Sequence, residues 1–217
     1  MRWIIDFLNS SIGKKIIVSF TGIFLCSFLL VHLSGNFLLF RSDQGEAFEV
    51  YSKFMSTNGI IGFLEIGLAL GFAIHIFNTL RLTLENKRAR PVPYAVNKAS
   101  ENSSLTSRTM FYSGLLVLSF LIIHLKSYFW EHRIVGSDLT MYQSVVESFK
   151  DPVYGGFYVF AMVLLGLHLN HGFESAFQTL GLNHKKYTPI IKFLGLLFSI
   201  IVPAGFASMP IYFFIYQ

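Results

Sequence analysis

Five long apolar runs dominate the chain, and charge returns in the shorter stretches between them. The runs cover 16–40, 59–80, 109–130, 153–177 and 189–215. Each reaches the ~20 residues that a helix needs to cross the hydrocarbon of a bilayer. The intervening segments are too short for a second globular domain. The pattern predicts an all-α integral membrane bundle of five transmembrane helices, forming one domain over 1–217.

Composition agrees with that pattern. Hydrophobic residues make up 53% of the chain and charged residues only 13%, with a mean hydropathy of +0.55. This is the composition of a membrane protein, not of a soluble core. The single cysteine, Cys26, lies inside the first run. The chain therefore makes no internal disulfide and no iron–sulfur cluster of its own. It has no GxGxxG and no P-loop. The N-terminal "MRWIIDFLNSSIGKK" does not read as a signal peptide, because Asp6 breaks its apolar run and no small-residue cleavage site follows. Trp3, Ile4, Phe7 and Leu8 suit a short interfacial helix with Arg2, Lys14 and Lys15 at the headgroups; a frayed tail is the alternative.

The net charge of +5 changes the picture only as topology. The segment 81–108 carries Arg81, Lys87, Arg88, Arg90, Lys98 and Arg108 against Glu85 and Glu101, and 178–188 carries Lys185 and Lys186. The segments 41–58 and 131–152 are mixed in sign. The positive-inside rule then places the N-terminus and the two basic segments in the cytoplasm and the C-terminus outside. The expected location is the cell inner (cytoplasmic) membrane, crossed five times. The charge calls for lipid headgroups and for no nucleic acid.

Histidines supply the candidate chemistry. His32, His75, His124 and His168 fall one each in the first four runs. The first and third runs start inside, so His32 and His124 lie ~25 Å along them, in the outer half. The second and fourth start outside, so His75 and His168 lie ~25 Å along, in the inner half. A lone intramembrane histidine is explained by a hydrogen bond to a neighbouring helix. Two pairs matched in depth on four helices point instead to two haems, each iron taking one axial nitrogen from each of two facing helices. No CxxCH motif exists for covalent attachment, so the haems are b-type. Gly67 and Gly71 share a helix face with His75, and Gly172 and Ala176 share one with His168; a macrocycle or ordinary helix packing accounts for either. Phe24 and Phe28 precede His32 on its face and Phe120 precedes His124. His171, one turn from His168, is an alternative inner ligand. His132 and His184 read as surface residues.

At these residues the chain resembles a family: the di-haem cytochrome b membrane anchor of succinate dehydrogenase and quinol:fumarate reductase, in its five-helix single-chain form. The resemblance is carried by "VHLSGN" (31–36), "EAFEVYSKFM" (46–55), "LEIGLALGFAIH" (64–75), "IIHLKSYFWEHRI" (122–134) and "GGFYVFAMVLLGLHLNHG" (155–172). These run in family order over nearly the whole chain. The family's last ligand stands in an H-x-x-x-G pattern, which His168 and Gly172 match. The resemblance implies haem pairing of His32 with His124 and of His75 with His168. It also implies a flavoprotein subunit and an iron–sulfur subunit on the cytoplasmic face, and a membrane quinone, menaquinone, as substrate.

A quinone site needs a proton donor or acceptor. Glu65 lies ~10 Å into the second run from the outside and is the candidate, with a structural carboxylate as the alternative. Arg108, at the inner mouth of the third run, suits a haem propionate or a headgroup. Lys126, Tyr128, Trp130 and Glu131 mark the outer interface. Two other functions compete: the cytochrome b anchor of another quinone-linked respiratory complex, and a proton-coupled transporter using His and Glu as a relay. Transporters show repeats and broken helices, whereas here only Pro203 is expected to break a span.

Overall fold

The computed structural model describes residues 2–89 and 104–216. Arg90, Pro91, Pro93, Lys98 and Glu101 of the basic segment lie outside the described residues. Those described are helical throughout, with no strand among them. A short helix α1 (Arg2–Asn9) leads into α2 (Ser11–Asn36), which continues as a 3-10 turn over Phe37–Phe40. Then follow α3 (Glu46–Thr57), α4 (Gly59–Arg88) and α5 (Leu105–His124), the last prolonged by a π-helical stretch, Leu125–Val135. The chain closes with α6 (Met141–Lys150), α7 (Pro152–Thr179) and α8 (Thr188–Tyr216).

Five helical stretches are long and apolar enough to cross a membrane: Ser11–Phe40, Gly59–Arg88, Leu105–Val135, Pro152–Thr179 and Thr188–Tyr216. The chain has the build of a multi-pass membrane protein. Each stretch extends beyond its apolar run or matches it closely, because helix ends are set by caps and not by hydropathy. Ser10, Asn58, Ser104 and Asp151 each accept a backbone N–H in the first turn of α2, α4, α5 and α7. Pro152 stands at the start of α7, where its missing N–H costs nothing. The α1–α2 corner needs Gly13, where a Cβ would lie 2.0 Å from the Phe7 carbonyl oxygen.

The structure corrects three expectations here. Lys14 is not a headgroup cation: it is buried (3% exposed) and pairs with Glu85, which also accepts from Arg81. A charge withdrawn from water needs a partner, and α4 supplies it. Pro203 does not break its span, for α8 runs uninterrupted through Pro203 and Pro210. The Ser199 carbonyl, which loses its donor at Pro203, faces Gly166 of α7, where a Cβ would come within 2.8 Å of it. The segments 41–58 and 131–152 are not simple loops. They hold α3, the end of the π stretch and α6, the last opened by a Thr140–Gln143 capping box.

Helix α7 is central, packed against α8, α5 and α2, while α4 leans on α2. Helices α2 and α5 both rest on α7 without extensive backbone contact with each other. The main buried cluster lies at the α3/α6 end. It joins Leu33 and Leu39 to Phe48, Val145, Val146, Phe149, Tyr158, Val202, Met209 and a fully buried Phe213. The long helices elsewhere show their apolar side chains outward, as lipid-facing helices do.

Candidate functional site: two histidine pairs

The α3/α6 end holds the outer pair, named after the orientation expected from charge. His32 of α2 and His124 of α5 meet across the space between their helices, ring centroids 5.9 Å apart and nearly perpendicular. Phe28 stacks on His32 at 5.2 Å and Phe120 on His124 at 5.7 Å, one turn before each. Phe206 of α8 closes on His32 at 5.5 Å.

Their Nδ1 atoms have different partners. His124 Nδ1 lies 3.2 Å from Tyr158 Oη, whose neighbour at 3.1 Å is Tyr154 Oη. His32 Nδ1 lies 3.3 Å from the Asn36 amide nitrogen, which also donates to the His32 carbonyl at 2.7 Å.

The inner pair is built differently. His75 of α4 lies against Gly22 of α2, where a Cβ would come 3.5 Å from the ring; His168 of α7 lies against Gly114 of α5, where it would come 3.3 Å. Gly22 precedes His32 by ten residues and Gly114 precedes His124 by ten. Ten residues of helix are ~15 Å. The inner histidines, carried by α4 and α7, thus lie at a second level against the same two helices, α2 and α5. His75 Nδ1 is 3.2 Å from Thr21 Oγ1. The Thr21 hydroxyl also reaches the Ile17 and Val18 carbonyls at 2.8 and 3.1 Å, and donation there leaves its oxygen to accept from Nδ1–H. His168 Nδ1 is buried without a hydrogen-bond partner among the described residues.

These donors fit haem better than a bare ion. Among the described residues no cluster of three or more His, Cys, Asp or Glu could hold a metal ion. Two histidines facing one another would supply only two donors, and a haem would bring the others with its iron. Two imidazoles sharing one metal at ~2 Å from each nitrogen have ring centres roughly 6 Å apart, close to the outer separation. At His124 and His75 the Nδ1 contact leaves Nε2 for a metal. At His32 the amide donor faces Nδ1, and binding through Nε2 requires that this contact turn.

The glycines expected on the histidine faces have other roles. Gly67 has open space around it, and Gly71 is covered by the Phe24 ring, 2.8 Å from a built Cβ. Gly172 lies against Met110. His171 is half-buried one turn from His168. Tyr128 is no interface residue: it is buried (8% exposed), 5.4 Å from the His124 ring, with its hydroxyl among those of Ser148, Tyr154 and Tyr158. His132 is held within the fold by Ser144 Oγ at 2.9 Å. Arg108 is exposed in the first turn of α5.

Glu65 is not an isolated buried carboxylate. Its side chain is 38% exposed and its Oε2 accepts from Arg133 at 3.0 Å; Arg133 also donates to the Ser56 carbonyl of α3. Tyr51 of α3 covers Gly35, three residues from His32, and burial raises its phenol above the ordinary value. Arg133, Tyr154, Tyr158, Thr21, Gly22 and Gly114 escape a reading by residue type. The equal ten-residue spacing to the outer histidines was a usable signal for the two glycines, and the i, i+4 tyrosines were one for the hydroxyls.

No protein-family model, no curated protein and no solved structure matches this chain.

Proposed function

We propose that the chain is the membrane anchor and electron-transfer subunit of a succinate:quinone oxidoreductase, binding two b-type haems. The observation that carries this is the arrangement of four histidines on four membrane-length helices as two pairs ~15 Å apart along α2 and α5. His32 and His124 would hold the outer haem, and His75 and His168 the inner one. Held by two histidines each, the haems would supply one-electron transfer and not oxygen binding.

The chain's own residues then have definite tasks. Phe28, Phe120 and Phe206 exclude water at the outer pair. Gly22 and Gly114 leave a flat wall beside the inner rings. Two sites at two depths divide a ~30 Å hydrocarbon into shorter electron-transfer steps. At the outer end Arg133 pairs with one carboxylate oxygen of Glu65, and the other would accept the proton of a quinol hydroxyl. The quinone is membrane-borne, menaquinone in this reading. The inner end faces the partners, an iron–sulfur subunit and beyond it the flavoprotein that interconverts succinate and fumarate. Arg108, at that end of α5, suits a haem propionate.

The test is haem stoichiometry and partnership in the purified complex. A pyridine haemochrome assay should give two haems per chain, and the chain should co-purify with a flavoprotein and an iron–sulfur protein. One haem or none, or co-purification with a molybdenum or nickel protein, rejects this assignment.

A further inference from the structure

His124 lies at one end of a chain of hydroxyls, and the polarity of that chain can be worked out. Tyr154 Oη donates to Ser127 Oγ at 2.8 Å. A phenol has one proton. With that proton committed, Tyr154 can only accept from Tyr158, 3.1 Å away. Tyr158 has then spent its own proton and can only accept at His124 Nδ1, 3.2 Å away. In that direction the chain puts the His124 ring proton on Nδ1 and the lone pair on Nε2.

From this polarity we infer that Tyr158, backed by Tyr154 and Ser127, is a positioning residue that fixes the His124 tautomer and holds Nε2 ready for a metal. The inference rests on the reading of His124 as an axial ligand. The setting favours it. Tyr158 is 6% exposed, and its ring packs edge-on against Phe120 at 4.9 Å and Phe149 at 5.1 Å, so neither tyrosine nor histidine can turn freely. Buried hydroxyls in series polarise one another, so Tyr158 accepts more strongly because it donates onward. A strong acceptor at Nδ1 makes the imidazole a more basic ligand, which favours the oxidised metal. No comparable chain serves His32, whose Nδ1 faces an amide donor.

Two measurements test this in the full chain. Nitrogen-15 spectra of the histidine-labelled, haem-free chain in lipid should show His124 as the single Nδ1–H tautomer, and Tyr158→Phe should lose that preference. In the assembled, haem-loaded complex Tyr158→Phe should raise the midpoint potential of the outer haem. The expected size is about a tenfold change in its redox equilibrium, or about 59 mV for one electron. Tyr154→Phe, which keeps the ring, should shift it the same way by less, and the inner haem should not move. Should Tyr158→Phe fail to assemble, Tyr154→Phe and Ser127→Ala carry the test. An Nε2–H tautomer in the wild type, or variants with two haems and unchanged potentials, would overturn the inference. A wild-type chain without haem would overturn the functional assignment instead, and the tautomer would still report on the hydroxyl chain.

Discussion

The two histidine pairs differ in how they are supported. The outer pair lies where α3 and α6 add a packed cluster to the bundle, and its rings meet each other and five aromatic neighbours. The inner pair has no such cluster. Its rings lie against bare glycine backbone, and one of them keeps an unpaired buried nitrogen. Within each pair one histidine has a hydroxyl acceptor at Nδ1, Tyr158 for His124 and Thr21 for His75. The other member lacks it. The outer site is therefore defined by side chains, and the inner one by their absence.

The largest effects should come from the ligands, and they should separate the pairs. His32→Ala or His124→Ala should reduce haem from two to one per chain and remove the outer signal; His75→Ala or His168→Ala should remove the inner. Haem quantitation with spectra at low temperature reads both. Retention of the inner haem in His168→Ala with its loss in His171→Ala would move the inner ligand to His171.

Next is the chemistry confined to the outer end. Glu65→Gln keeps the shape and removes the proton acceptor, so quinone-linked turnover should fall by about 10²-fold or more, the range typical of general acid–base groups. Both haems should stay, and succinate oxidation with an artificial acceptor should persist. Arg133→Met should lower turnover by less. Normal quinone turnover in an assembled Glu65→Gln complex would leave Glu65 a structural carboxylate.

A third prediction turns on glycine. Gly114→Leu puts a side chain where a Cβ already stands 3.3 Å from the His168 ring. Inner haem affinity should fall at least about tenfold, roughly 1.4 kcal/mol. The outer haem should be unaffected. Equal loss of both haems would mean that the bundle had deformed and that the two sites are not independent.

The smallest effect is expected at the inner hydroxyl. Thr21→Val is nearly isosteric and removes the His75 Nδ1 acceptor, and changes of this kind cost about 10–100-fold in metal affinity. The lower end is expected here, because a single threonine backs His75 where three hydroxyls back His124. Haem transfer to an acceptor protein measures it.

What the sequence determined by itself was whatever local periodicity and composition encode. Five apolar runs fixed five long helices, since backbone groups in lipid must be satisfied within a segment. The pattern of Trp3, Ile4, Phe7 and Leu8 left α1 open between an interfacial helix and a frayed tail, and the helix is what forms. Counting residues from the ends of the runs put His32 and His124 at one depth, because helical rise is constant. The tertiary structure decided everything that depends on direction around a helix axis and on which helices are neighbours. It turned Tyr128 inward, through a π-helical stretch that hydropathy does not register. It placed Gly22 and Gly114, not Gly67 or Gly71, beside the inner histidines. It paired Glu65 with Arg133, 68 residues away, and buried Lys14 on Glu85, 71 residues away. A side chain's partner lies across a helix interface, and only packing chooses which face meets which.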